Sequence, residues 1–459
     1  MQPAQSAIST ETLDSLWDRT IEAFLAHARE TPVLINEVLT RFPDFALAPL
    51  VKGCLLLSLG RSELLGPARE CLATGKALLA VQPDTRTALF ATALESWLDG
   101  KPRSAIHAME RVIDDHPRDA LAIKLSHAIR FVLGDADGMR RSLSRVISVF
   151  GDDVPYAGYV RGCYAFALEE TGAYAEAKEM GLRAVKLAPR DAWGRHAVAH
   201  VFEMEGRALE GVGWLEGQEA SWSHCGNFSY HMFWHLALFQ MELGRHSEVL
   251  ALYDRAIRAE QTDDYRDIAN AASLLERLVL AGVPVGDRWE ELAEIAGRRT
   301  DDRRLVFADL HYLLALLGAR RLDQAQALVS QLMRDARIGH SHDARVADDV
   351  GAPLAAALLA FQGERYSEAA RLIGPVRHIV RQIGGSHAQR DIFEQIYLES
   401  LVRAGAKDAA CHALGQRLRE RGGHNLFATK RLRSLGKSND AQGRLAISLI
   451  GLTPGATEH

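Results

Sequence analysis

The chain has 459 residues, 47% of them hydrophobic and 25% charged, with a formal net charge of −5. These are the values of a chain that can bury a core, and they exclude extended disorder. Charges of both signs are interspersed and no block of Lys and Arg forms a phosphate-tracking stripe, so nucleic acid is not expected as a partner.

The N-terminal stretch MQPAQSAISTETLDSLWDRT lacks the basic region and apolar core of a secretory signal. No window approaches the roughly 20 uninterrupted apolar residues of a membrane span, so no membrane partner is expected. Cys54, Cys71, Cys163, Cys225 and Cys411 are scattered and form no CxxC, which argues against a disulfide framework or a zinc knuckle. A cytoplasmic protein is the consistent expectation.

Up to about Gly60 the chain reads as ETLDSLWDRTIEAFLAHA, TPVLINEVLTRFP and FALAPLVKGCLLLSLG, three helices by their apolar spacing of three and four. Glycines then end helical segments at Gly100, Gly134, Gly172, Gly206 and Gly244, at spacings of 34, 38, 34 and 38. Such a period marks a repeat array. In the clearest unit Gly172, Tyr174, Ala177, Ala184 and Pro189 follow one another at intervals of 2, 3, 7 and 5, the intervals of the tetratricopeptide pattern. The glycine permits the turn between two antiparallel helices, the alanines let them approach, and the proline stops the second. Units beyond Gly282 are degenerate but continue as apolar helix, small turn and Ala-containing helix. RIGHSHDARVADDVG reads as an exposed loop, and Ser386 with Gln389 reads as a capping box.

The predicted fold class is all-α, an α-solenoid of tetratricopeptide-like hairpins forming a superhelix with a concave inner groove. Residues 1–60 would cap the array, 61–282 form regular repeats with the histidine cluster, 283–440 form degenerate helical repeats, and 441–459 form a tail.

The stretches RHAVAHVFEMEGR, HMFWHLALFQMELGR, NAASLLERL, GDRWEELAEIA, ADLHYLLALLGA and IGGSHAQRDIF resemble the signature stretches of the tetratricopeptide repeat protein 38 family, over about residues 40 to 440. The resemblance implies a cytoplasmic α-solenoid and no particular activity. It also implies that His196, His200, His231, His235, His311 and His387 occupy the family's histidine positions. Glu276 departs from the pattern, where a bulky apolar residue is expected.

Two helical segments carry histidines at i, i+4, His196 with His200 and His231 with His235, and side chains four apart share a helix face. The repeat register turns all four toward the groove. Glu203 and Glu242 extend the same faces, and Trp193 would supply a groove wall. His311 is a groove residue or a satisfied core histidine; His387 opens a helix and, with Arg390 and Asp391, fixes a turn or meets an acidic ligand. His224 with Cys225 reads as a connecting turn rather than a nucleophile pair.

Of two functions, the first is the expectation and the second its alternative. The first is a non-enzymatic binding protein whose groove, floored by the histidines, takes a peptide, protein segment or small ligand, with no cofactor expected. The second is a metal-dependent enzyme or ligand-sequestering protein holding a transition metal at His196, His200, His231 and His235. Against the metal stands the roughly 10 Å between neighbouring helix axes, near the limit for two pairs to share an ion. Oligomeric state is not read from the sequence.

Overall fold

Residues 11–338 and 341–436 are described by the structure, a computed structural model. The expected tail, 441–459, and His340 lie outside them. Every regular element among the described residues is a helix, mostly α with short 3-10 and π segments, and there is a single isolated bridge between Ala28 and Cys225 and no strand. No helix among them is long and apolar enough to cross a membrane.

The three N-terminal helices are Leu13–Leu25, Thr31–Arg41 and Leu47–Leu57. Helical hairpins follow, among them Ala157–Glu169 with Tyr174–Leu187, Ala192–Met204 with Ala208–Leu215, and Phe228–Glu242 with His246–Leu252. The glycine of each turn is left-handed, with φ between 63° and 81° from Gly100 to Gly244. Further along, Arg320 (φ 56°) and Glu364 (φ 58°) take that conformation. Left-handed glycines stand at Gly282 (φ 78°) and Gly405 (φ 72°), so the ladder is interrupted at the Arg320 and Glu364 turns while the hairpins continue.

Close packing sets up the centre of the array. At Gly181 a β-carbon would lie 2.6 Å from Val198 Cγ2, so only glycine lets Tyr174–Leu187 cross Ala192–Met204 at this distance. Phe166 and Phe239 are fully buried on either side, each contributing about 1.5–3 kcal/mol by removal from water. One large apolar core runs from Leu16 to Ala197 and a second from Ala192 to Ile396, so the two meet at the histidine stretch.

The superhelix winds until distant segments touch. Arg29 donates to the carbonyls of Ser223 (2.7 Å) and Cys225 (3.1 Å), and the Ser62 hydroxyl donates to Asp302 (2.9 Å). The concave side is filled by the chain's own C-terminal part, comprising Gly374–Ile383, His387–Arg403, Lys407–Glu420 and Leu426–Gly436. The turn at Gly134 abuts the carbonyl of Arg381, and the turn at Gly206 abuts those of Arg421 and His424. Asp391 anchors this cover by accepting from Arg417 (2.6 and 2.8 Å) and Arg421 (3.1 Å).

Candidate metal centre

The consecutive first helices Ala192–Met204 and Phe228–Glu242 bring the two histidine pairs together. His196 Nε2 lies 2.9 Å from His231 Nε2 and 3.0 Å from His200 Nε2, and His231 Nε2 lies 3.2 Å from His235 Nε2. One nitrogen from each ring falls within 4.8 Å of the others. Imidazoles reaching inward from both helices span the gap that helix spacing alone makes doubtful. For metal–nitrogen bonds of ~2.0–2.1 Å, tetrahedral geometry requires nitrogens about 3.3–3.4 Å apart. The three contact separations, 2.9, 3.0 and 3.2 Å, fall slightly short of that value, and all of the nitrogens lie within 4.8 Å of one another.

The outer ring nitrogens face a ring of acceptors. His200 Nδ1 is 3.3 Å from Glu169 Oε2 and His235 Nδ1 is 3.4 Å from Glu203 Oε2. His231 Nδ1 is 3.1 Å from Asn270 Oδ1, an oxygen that also accepts from Gln389 Nε2 at 3.2 Å. The Asn270 oxygen at His231 Nδ1 favours a proton there and leaves the lone pair on Nε2, and the carboxylates near His200 and His235, though not hydrogen-bonded to them, favour a proton on the same side.

Hydrogen bonding cannot account for the inner contacts. Three Nε2–Nε2 approaches link four nitrogens in a chain, and a neutral ring nitrogen either donates one proton or accepts on one lone pair. At most two approaches can then be ordinary hydrogen bonds. If His235, like His231, carries its proton on Nδ1, their 3.2 Å approach sets lone pair against lone pair. An electrophile at the centre would relieve that opposition.

Burial and charge agree with ligand chemistry. All four histidines are at most 9% exposed. Burial first, and neighbouring histidines after it, holds His196 and His231 far below the usual imidazole range. Burial, then His200 and Arg277, does the same for His235. Burial also lowers His200, although Glu203 and Glu170 oppose it. Neutral imidazoles result, the form that binds metal. Glu169 is wholly buried, neither of its oxygens has a hydrogen-bond partner, and burial pushes its carboxyl far up, with His387 opposing. Phe166, Trp193, Phe228 and Trp234 wall the site, with Trp193 5.0 Å from His196 and Trp234 stacked at 5.3 Å on His231.

Other expected site residues fall elsewhere. His311 is fully buried, with Nδ1 2.7 Å from the carbonyl of Phe307, and packs on Phe307 and Phe393 rather than joining the cluster. His387 heads its helix behind the predicted capping box of Ser386 and Gln389. Its backbone N–H donates to Glu170 (2.7 Å), as Arg390 does (3.1 Å). Glu169, Glu170 and His387 converge within 4.8 Å, but the Arg390 contact makes them an ion-pair knot beside the histidines. Glu242 turns to Asn425 and the backbone N–H of Leu426. Cys225 lies in a turn, its thiol pushed up to about 12 by burial, so it is no nucleophile. In the expected loop, Ser341 caps a short helix, His342–Val346.

Sequence reasoning missed Glu169, Asn270 and Gln389. For Glu169 a signal existed: it stands three residues before Gly172, as Glu203 stands three before Gly206. The repeat thus presents the same carboxylate twice, each to a histidine of the following first helix.

No family model matches the chain. Among solved structures, similarity extends to the human IFIT1 dimer with PPP-AAAA, at 12% identity over 95% of this chain and 96% of that one, with a TM-score of 0.39. It extends also to yeast Tom70, at 12% identity over 97% and 93%, with a TM-score of 0.36. At such values the likeness adds nothing to the reading of the site.

Proposed function

We propose that this helical-repeat protein is a metal-binding scaffold that holds one transition-metal dication, zinc(II) by preference, between His196, His200, His231 and His235. The observation that carries the reading is the convergence of four neutral Nε2 atoms whose mutual contacts cannot all be hydrogen bonds. Glu169 and Glu203 stand behind the His200 and His235 rings, where a bound dication would draw the buried Glu169 carboxyl toward its ionised form and carboxylates so placed would orient the ligands. Four protein nitrogens leave no open position, so the site suits a structural or sequestering ion better than a catalytic one.

A peptide in the groove would have to displace the C-terminal helices to reach the histidines, so a peptide or protein partner belongs on other faces of the solenoid. The resemblance to the tetratricopeptide repeat protein 38 family accords with this reading and supplies no reaction. A cytoplasmic setting, which keeps thiols reduced, suits the five unpaired cysteines.

Titration of chelator-treated protein with cobalt(II) tests the proposal. One equivalent should give the intense visible absorption of a tetrahedral ion, displaced by zinc. The weak spectrum of hydrated cobalt, with no change at the stoichiometric point, would overturn it. Replacing His200 and His231 together by Gln should abolish the signal while leaving the helical content in place.

A further inference from the structure

Beyond the histidine centre, an arginine-rich cavity of about 90 Å³ lies between the Ala192–Met204, Phe228–Glu242 and Tyr265–Leu280 helices and the C-terminal cover. Its cationic side chains differ in how they are compensated. Arg417 pairs with Asp391, Arg421 with Asp391 and Glu203, and Arg431 with Glu399. Arg277, 4% exposed, donates only to the carbonyls of Ser273 (2.9 Å) and Ala388 (2.7 Å) and has no carboxylate within 4.0 Å among the described residues. Two of its five N–H groups are engaged there, which leaves three donors.

The acidic groups of the wall are already in use. Asp391 serves two arginines, and Glu203 lies between Arg421 and His235. Glu242 accepts from Asn425 and Leu426, and burial, opposed by that backbone N–H, raises it to about 7. The cavity therefore carries a surplus of positive charge in a chain whose net charge is −5. A buried cation without a counter-charge is costly, and a guanidinium is suited to the two oxygens of a carboxylate or phosphate.

Access has the same sign. A second cavity of about 490 Å³ shares Asp391, Arg417 and Arg421 with the first and adds Arg377, Arg381 and Arg390 against Glu394 and Glu420, a net excess of arginine. Residues 374–436 contain eleven Lys or Arg against five Asp or Glu. Such a mouth concentrates anions and repels cations. The inner volume has room for a small oxyanion with a few waters.

We infer that the Arg277 cavity is a binding site for a small oxyanion, a carboxylate or phosphate, held by Arg277 with Arg421 and reached through the arginine-lined outer cavity. The inference stands apart from the metal reading, since none of the four histidines lines either cavity.

Calorimetric titration of the full chain with inorganic phosphate and with succinate, at constant ionic strength and with chloride as control, tests it. Saturable binding of either oxyanion at one site is expected, weakened about tenfold or more in Arg277→Gln. Phosphate binding alone would identify an inorganic or phosphorylated ligand, and succinate binding alone an organic acid. Lys430→Glu, at the exposed rim of the cavity, should weaken binding about threefold through its charge. That variant keeps the test decisive if Arg277→Gln does not fold. No binding above the chloride control, or wild-type affinity in the folded variants, would overturn the inference.

Discussion

Replacing Glu169 by Gln separates a metal-supporting carboxylate from one that merely holds the fold. Glu169 is 0% exposed, lies 3.3 Å from His200 Nδ1, and has no hydrogen-bond partner at either oxygen. Without an ion it does no structural work that an amide of the same shape could not do, and the amide removes any cost of a buried carboxylate. The metal-free variant should therefore be as stable as the wild type or more so. With an ion bound, the carboxylate fixes the His200 ring and adds a negative charge. Loss of such a group typically lowers affinity 10–100-fold, or about 1.4–2.7 kcal/mol. Urea melts in chelator give the first quantity, and competition of zinc against a chromophoric chelator gives the second. Affinity within twofold of wild type would refute the reasoning, as would a metal-free variant destabilised by more than about 2 kcal/mol.

Asp391→Asn should cost about 3–5 kcal/mol, because it leaves Arg417 buried without its counter-charge and Arg421 with Glu203 alone. Burial pushes the Asp391 carboxyl up, but Arg417 and Arg421 override it and hold it well below the usual carboxylate range. Its contribution is present above the unfolded value near 3.9 and is lost only in stronger acid, so wild-type and variant melts should run parallel between pH 5 and 8. Asp309 behaves oppositely: burial, with Asp302 second, raises it to about 8. Its stabilising proton is fully held below the unfolded value and lost as pH rises through the folded one, so Asp309→Asn should gain on wild type by about 1.4 kcal/mol per pH unit up to that point. Gly134→Ala would set a β-carbon 1.7 Å from the Arg381 carbonyl at a φ of 63°, whereas Gly172→Ala, at a φ of 81°, meets nothing within 4 Å. Both should lose about 1–2 kcal/mol to the left-handed backbone, and Gly134→Ala alone should speed hydrogen exchange across residues 374–436.

The hairpins were legible because their packing requires small residues at fixed offsets, and those offsets survive in Gly172, Tyr174, Ala177, Ala184 and Pro189. The two histidine pairs were legible for a similarly local reason, since i, i+4 spacing defines a face whatever the helix packs against. The rest of the site depends on contacts between helices remote in sequence. Asn270 reaches His231 from the next first helix, and Gln389 reaches Asn270 across 119 residues, a pairing that no period encodes. The filling of the concave side was equally hidden, because it follows from how many small rotations the superhelix accumulates. Arg320 and Glu364 at left-handed turns broke the glycine period between Gly282 and Gly405, just ahead of the part of the chain that supplies the cover.

Elemental analysis of the full chain, purified without an affinity tag, tests the central claim most directly. The account predicts close to one equivalent of a transition metal per chain, zinc above others, removed by strong chelator and restored on adding zinc, and absent when His200 and His231 are both Gln. Protein that is metal-free as purified and takes up no zinc, with a melting temperature that neither chelator nor zinc alters, would contradict it.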